Sequence, residues 1–187
     1  MGEALYRGEA AYREAVDRCA EPLSDHIGRD IRDVLFGEGG DQINETRFAQ
    51  PALFVTEYAL ACLWRQWGVV PKAMIGHSIG EYVAAHFAGV MSIEDALSIV
   101  ATRGRLMQAC PPGAMAAVHL PPAELSAMLP AGVEIAAVNG PELCAVSGQA
   151  ETLAAWLKAL AAKGVQFSLL KTSHAYHSAL MEPALPG

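Results

Sequence analysis

Residues Gly76 to Gly80 read G-H-S-I-G. An apolar run, "VVPKAMIG", precedes the serine and a helical pattern, "GEYVAAHFAGV", follows it. A G-x-S-x-G between strand and helix is the setting of an exposed nucleophile. The glycines Gly76 and Gly80 remove side chains where strand and helix approach. Ser78 is pushed out at the turn, and the N–H of Ile79, at the helix start, can donate to a developing oxyanion. The chain has 17 glycines, so a pentapeptide of this kind also arises by chance. The simpler reading is a serine that only caps the helix behind it. A serine nucleophile needs a base. His77 is adjacent, but a neighbour on a tight turn points elsewhere. His86 lies well into the helix, and His119 in an expected strand. His174 and His177 follow another expected strand, where loops carried by a scaffold often hold chemistry. The spacing alone leaves open which of the two would act. Arg103 is the remaining residue of interest. Val100 and Met107 flank it at −3 and +4, so it borders an apolar helical stripe, whereas Arg105 faces water. Arg103 either extends its head into solvent or aims a guanidinium into a pocket, where it could hold a carboxylate by two parallel hydrogen bonds.

The elements that must position these residues follow from periodicity and punctuation. Glu9 to Leu23 has the pattern of an amphipathic helix, with Tyr12, Val16 and Cys19 on one face. A shorter helix is expected around Ile27 to Phe36, then a polar, glycine-rich loop from Gly37 to Arg47. "QPALFVTEYALACLWRQWG" reads as a helix with Pro51 in its first turn and Gly68 as its stop. Its apolar positions surround it, which predicts deep burial. "VVPKAMIG" is expected to be a short strand, and Ser92 to cap a helix ending at "PPG". From Ala114 to Ser173 the order becomes β-α-β-β-α-β, the split-βαβ, ferredoxin-like pattern. The expected division is therefore a larger α/β lobe over 1–113, a ferredoxin-like subdomain over 114–173, and a return to the lobe over 174–187.

Composition excludes several classes. With 52% hydrophobic and 18% charged residues among 187, the chain can bury a core. Net charge is −7, and the 13 basic residues are scattered, which argues against nucleic acid. The most apolar long segment carries Glu57 and is too short to span a membrane. Four cysteines without a C-x-x-C pair point to reduced thiols and a cytoplasmic setting, and six histidines without H-x-x-x-H spacing argue against a metal.

Six collinear stretches carry a resemblance: "QPALF", "GHSIGEYVAA", "RGRLMQ", "GAMAAV", "NGP" and "SHAYHSALMEP". Together they resemble the malonyl-CoA:acyl-carrier-protein acyltransferases, and more closely the acyltransferase domains of type I polyketide synthases. The resemblance implies an α/β-hydrolase-like lobe, here incomplete, with an inserted ferredoxin-like subdomain. It implies Ser78 as the acyl-accepting nucleophile and His177 as general base. Arg103 would pair with the extender carboxylate, and the Ile79 N–H would supply half of an oxyanion hole. Gln50, His77, Met107, Asn139, His174 and Tyr176 would line the site. Ile79 and H-A-Y-H resemble malonyl rather than methylmalonyl selection, with Tyr176 crowding an α-methyl branch. The implied partners are malonyl-CoA as substrate, an acyl carrier protein and neighbouring synthase domains, with no bound cofactor.

Relative to that family the chain lacks an early strand with a glycine- and glutamine-rich loop, and the segment after the histidine motif. Weak or absent activity of the isolated chain is the corresponding expectation. No Asp or Glu stands out as a third triad member, and Glu81 is accounted for by the helix dipole. Two other classes fit G-x-S-x-G: a serine thioesterase or esterase of α/β-hydrolase type, and a non-catalytic piece that only docks a partner.

Overall fold

A computed structural model describes residues 1–37 and 40–185; residues 38–39 of the expected glycine-rich loop lie outside it. The chain divides into two compact units, Met1–Arg105 and Leu106–Gly187.

The first unit is helical. It contains α1 (Glu3–Gly8), α2 (Ala10–Ile27), α3 (Ile31–Phe36), a 3-10 turn (Gly40–Asn44), α4 (Thr46–Gln66), α5 (Gly80–Phe87) and most of α6 (Ile93–Gln108). Tyr12, Val16, Cys19 and Leu23 recur at helical spacing on α2 and are fully buried. They share one core with Phe54, Val55, Tyr58 and Leu63 of α4 and with Leu97 and Val100 of α6. Full burial of such a side chain contributes roughly 1.5–3 kcal/mol, so packing rather than propensity holds these helices. Asp30 caps α3 by accepting from the Arg32 N–H at 2.8 Å. Ser92 caps α6, its Oγ accepting from the Asp95 N–H at 3.0 Å.

Three expectations change here. The first concerns the start of α4, which begins at Thr46, so Pro51 lies inside the helix and not in its first turn. The ring forgoes a backbone bond to the Arg47 carbonyl. Gly104 of α6 approaches at this place: a Cβ there would stand 3.2 Å from the Thr46 carbonyl oxygen and 3.3 Å from that of Arg47. The second concerns burial. α4 is buried on one side only, since Leu53 and Trp64 are exposed. The third is the strand expected at "VVPKAMIG". Residues 69–75 form no strand, and Val70 and Ile75 are 78% and 92% exposed. Among the described residues the first unit offers no strand for a ladder, and Pro71 has no N–H to donate. The stop at Gly68 is as expected. Its φ is 86°, and the N–H groups of Gly68 and Val69 bond the Arg65 and Trp64 carbonyls in a Schellman motif.

The second unit contains the end of α6, β1 (Ala114–Val118), α7 (Pro122–Met128), β2 (Val133–Gly140), β3 (Leu143–Gly148), α8 (Ala150–Ala162), β4 (Phe167–Leu169) and a 3-10 turn (Ala179–Ala184). The β-α-β-β-α-β order is that read from the sequence. The four strands pair antiparallel in the order β2-β3-β1-β4. Ala116, Val118, Cys144 and Val146 pack with Leu125 of α7 and with Leu153, Leu157 and Leu160 of α8. The indole N–H of Trp156 donates to the Met128 carbonyl at 2.8 Å, tying α8 to the end of α7. Residues 174–185 pack within this unit: Met181 lies in a cluster with Met107 and Cys110, and the Ala179 N–H donates to Glu134 Oε1 of β2 at 3.3 Å.

Candidate active site

Ser78 stands on a sharp turn that opens α5, with φ 52°. An L-residue in the left-handed region costs on the order of 1–2 kcal/mol, and such outliers gather at functional sites. Three features hold the turn. The Gly80 and Glu81 N–H groups donate to the His77 and Ser78 carbonyls at 3.1 and 3.2 Å. The Glu81 carboxylate reaches back and accepts from the Gly76 N–H at 3.0 Å. A Cβ on Gly76 would collide with the Gly80 carbonyl and the Glu81 nitrogen. Gly76→Ala is therefore expected to open the turn and to destabilise the unit by about 2–4 kcal/mol, measurable as a lowered melting temperature. Ile79, buried and in ordinary helical geometry, is the N-cap of α5. Its backbone N–H thus belongs to the positive end of the helix.

Gly80 faces α4 and not a strand. A Cβ there would lie 3.2 Å from Glu57 Oε2. Glu57 is half-buried and edges an apolar groove of about 320 Å3 formed with Met74, Ile75, Val83 and Phe87. Burial pushes its carboxyl above the usual carboxylate range, and the nearby His77 partly offsets this.

The Arg103 guanidinium, partly exposed, has two neighbours in the first unit. Nη1 donates to Oε1 of Gln50, whose side chain is buried on α4. The guanidinium also lies 5.9 Å from the ring centre of Tyr82 on α5. Pro51 and Gly104, each one residue on in sequence, mark the close helix approach that brings Gln50 and Arg103 together. Arg105 is exposed, as its rotation on the helix required. His86 is a satisfied structural histidine: Nδ1 bonds the Met91 carbonyl at 3.1 Å and the ring packs edge-on against Tyr58.

In the second unit His177 takes φ 58°. Ser78 and His177 are the two non-glycine residues with positive φ among those described. The turn at His177 is braced by Ser178, whose Oγ donates to the Ala175 carbonyl at 2.7 Å. His174 lies deeper. It is buried, its Nε2 bonds the Cys110 carbonyl at 3.2 Å, and its Nδ1 bonds the Ser173 hydroxyl at 2.8 Å. A carbonyl only accepts, so Nε2 carries the proton and Nδ1 accepts from Ser173. His174 therefore anchors the segment that carries His177. Tyr176 stacks on His174 at 6.4 Å and packs against the cluster of Met107, Cys110 and Met181. Asn139 is exposed near the end of β2. The residues singled out from the sequence thus form two sets: Gln50, His77, Ser78, Ile79 and Arg103 in the first unit, and Met107, Asn139, His174, Tyr176 and His177 in the second. Glu57 and Tyr82 were missed, and Glu81, read from the sequence as a helix-dipole residue, also accepts from the Gly76 N–H. The signal for Glu57 was a lone acid inside the apolar run of α4.

Among the described residues no group of three or more His, Cys, Asp or Glu could hold a metal ion, and no helix is long and apolar enough to cross a membrane.

The acyl transferase domain family model matches residues 1–187. The chain is 46% identical over 186 residues to mycoketide-CoA synthase of Mycobacterium tuberculosis, covering 99% of this chain and 4% of that protein. It is 42% identical over 194 residues to polyketide synthase GfsA of Streptomyces halstedii, covering 99% of this chain and 3% of that protein. Among solved structures it is similar to the acyl transferase domain of SpnD in complex with 2-(pent-4-yn-1-yl)malonyl, with 42% identity and a TM-score of 0.89. That match covers all of this chain and 45% of the other. It is also similar to malonyl CoA-acyl carrier protein transacylase from Clostridium perfringens, with 27% identity and a TM-score of 0.81, over all of this chain and 60% of the other. The chain therefore spans a small part of these synthases and about half of the matched domains.

Proposed function

Because the chain belongs to the acyl transferase domain family, we propose that it moves a malonyl unit from coenzyme A to the phosphopantetheine thiol of an acyl carrier protein, through an ester on Ser78, within a polyketide synthase. The observation that carries this reading is the pair of left-handed residues, Ser78 and His177. Strain of this kind is retained where a side chain must be aimed, and it falls on a hydroxyl and an imidazole, a nucleophile and a base. On the same reading residues 1–113 belong to a hydrolase-like lobe and 114–173 to a ferredoxin-like insert.

The chemistry has two halves. The Ser78 hydroxyl attacks the thioester carbonyl as His177 takes its proton. The tetrahedral oxyanion is met by the Ile79 N–H. The C–S bond then breaks, and His177 returns the proton to the departing CoA sulfur, leaving malonyl-Ser78. The carrier thiol gives its proton to His177 and attacks the ester, and Ser78 leaves with that proton. Arg103, steadied by Gln50 and Tyr82, holds the free malonyl carboxylate, and Tyr176 disfavours an α-methyl branch. The SpnD complex with 2-(pent-4-yn-1-yl)malonyl, a 2-substituted malonyl, and the malonyl CoA-acyl carrier protein transacylase among the matched structures support a carboxylate-bearing acyl group.

Incubation with malonyl-CoA, with and without carrier protein, separates transfer from hydrolysis. Malonyl carried to the thiol without net release of malonate is expected. Malonate release independent of the carrier would instead make the chain a thioesterase. His177→Ala is expected to slow malonyl-Ser78 formation by about 10²–10⁴-fold, read by rapid quench and mass, as loss of a general base does.

A further inference from the structure

Glu81 makes a bond that an ordinary helix start does not. Its Oε1 accepts from the Gly76 N–H at 3.0 Å. In a capping box the acid of the first turn reaches back to the N–H of the cap residue itself. The cap residue of α5 is Ile79, and Glu81 is the second residue of the helix. The carboxylate therefore passes Ile79, Ser78 and His77 and closes on the residue three places before the cap. The same two residues also pack together: a Cβ on Gly76 would stand 2.1 Å from the Glu81 nitrogen. Within this clasp the Gly80 and Glu81 N–H groups donate to the His77 and Ser78 carbonyls at 3.1 and 3.2 Å. Ser78, at φ 52°, is the residue enclosed in the left-handed region. A serine without such a tie relaxes out of that region, because it is costly for an L-residue. Here relaxation would carry Gly76 away from Glu81 and break the bond.

We propose that Glu81 is a positioning residue for the nucleophile: by tying the Gly76 N–H to the first turn of α5, its carboxylate holds Ser78 in the left-handed backbone that aims the hydroxyl. The proposal rests on the reading of Ser78 as nucleophile. The clasp also bypasses the Ile79 N–H, the donor that the oxyanion requires on that reading.

Two charges could account for an acid here without any clasp. One is the positive end of α5. The other is Lys72, which lines the same surface cleft as Glu81. Both need the charge of the carboxylate. The clasp needs only an acceptor oxygen at the right reach. Glu81→Gln keeps that oxygen and removes the charge. Glu81→Asp keeps the charge but is one methylene shorter, about 1.5 Å. Glu81→Ala removes both. The clasp therefore groups Gln with wild type and Asp with Ala, whereas either charge groups Asp with wild type and Gln with Ala.

The deciding experiment is NMR of the whole chain and these three variants, reading the exchange rate of the Gly76 amide and the scalar couplings that report the sign of φ at Ser78. Wild type and Glu81→Gln are expected to show a protected Gly76 amide and a positive φ. In Glu81→Asp and Glu81→Ala the Gly76 amide is expected to exchange about tenfold faster, as loss of one hydrogen bond implies, and Ser78 to leave positive φ. Formation of malonyl-Ser78 is expected to follow the same grouping, with Asp and Ala slower by about 10–10²-fold and Gln close to wild type. The opposite grouping, or a Ser78 that keeps positive φ in folded Glu81→Ala, would overturn the proposal. Failure of wild type to acylate would overturn the assignment of Ser78, and the couplings would still read the hold of Glu81 on the turn.

Discussion

Ser78→Gly is expected to abolish acyl-enzyme formation and to make the protein more stable. The loss is that of the nucleophile itself, on the order of 10³-fold or more in transfer rate. The gain comes from the backbone. Ser78 sits at φ 52°, where glycine rests without penalty. Relief of that strain is worth about 1 kcal/mol, a rise of roughly 2–4 °C in melting temperature for a chain of this size. Ser78→Ala removes the same hydroxyl but keeps the Cβ and hence the strain. Glycine and alanine variants are thus expected to be equally inactive and unequally stable. Calorimetry of the two, beside wild type, separates a strained catalytic turn from a relaxed one. Equal melting temperatures would mean that the turn stores no strain at Ser78.

Arg103→Ala is expected to change acyl choice more than any other substitution. A guanidinium held in place by Gln50 meets a malonyl carboxylate with little rearrangement, and removing one partner of such a charge pair costs about 3–5 kcal/mol. Malonyl transfer is expected to fall about 10²–10³-fold in kcat/KM. Acetyl transfer is expected to hold or rise, because an acetyl group leaves the wild-type guanidinium without a partner. Arg103→Lys keeps the charge but loses the planar fork and the bond geometry to Gln50, and falls between the two. Competition between malonyl-CoA and acetyl-CoA, read as the ratio of the two acyl-enzymes, measures this directly. An unchanged ratio in Arg103→Ala would remove Arg103 from substrate recognition.

Much of the scaffold was legible because periodicity and caps agree with packing. The buried stripe of α2, the Ser92 cap, the Gly68 stop and the β-α-β-β-α-β order all follow from local chemistry. The turn at Ser78 was legible from its glycines, and Gly76 shows why: a Cβ there would collide with the backbone of Gly80 and Glu81, whereas one on Gly80 would only press on the Glu57 carboxylate. What was not legible depends on contacts distant in sequence. Pro51 lies inside α4 where Gly104 of α6 comes close, and neither residue announces the other. The apolar pattern at 69–75 reads as a strand, but a strand also needs a neighbour to pair with. His174 and His177 look alike on paper. The Cys110 carbonyl and the Ser173 hydroxyl commit His174 to structure, and the left-handed backbone distinguishes His177.

Intact-mass measurement after prolonged exposure to malonyl-CoA tests the central claim most directly. One malonyl group per folded chain is expected, located to the peptide that contains Ser78, absent from Ser78→Ala, and discharged by a carrier-protein thiol. A folded wild-type chain that gains no mass, or a Ser78→Ala chain that gains the same mass, would contradict it.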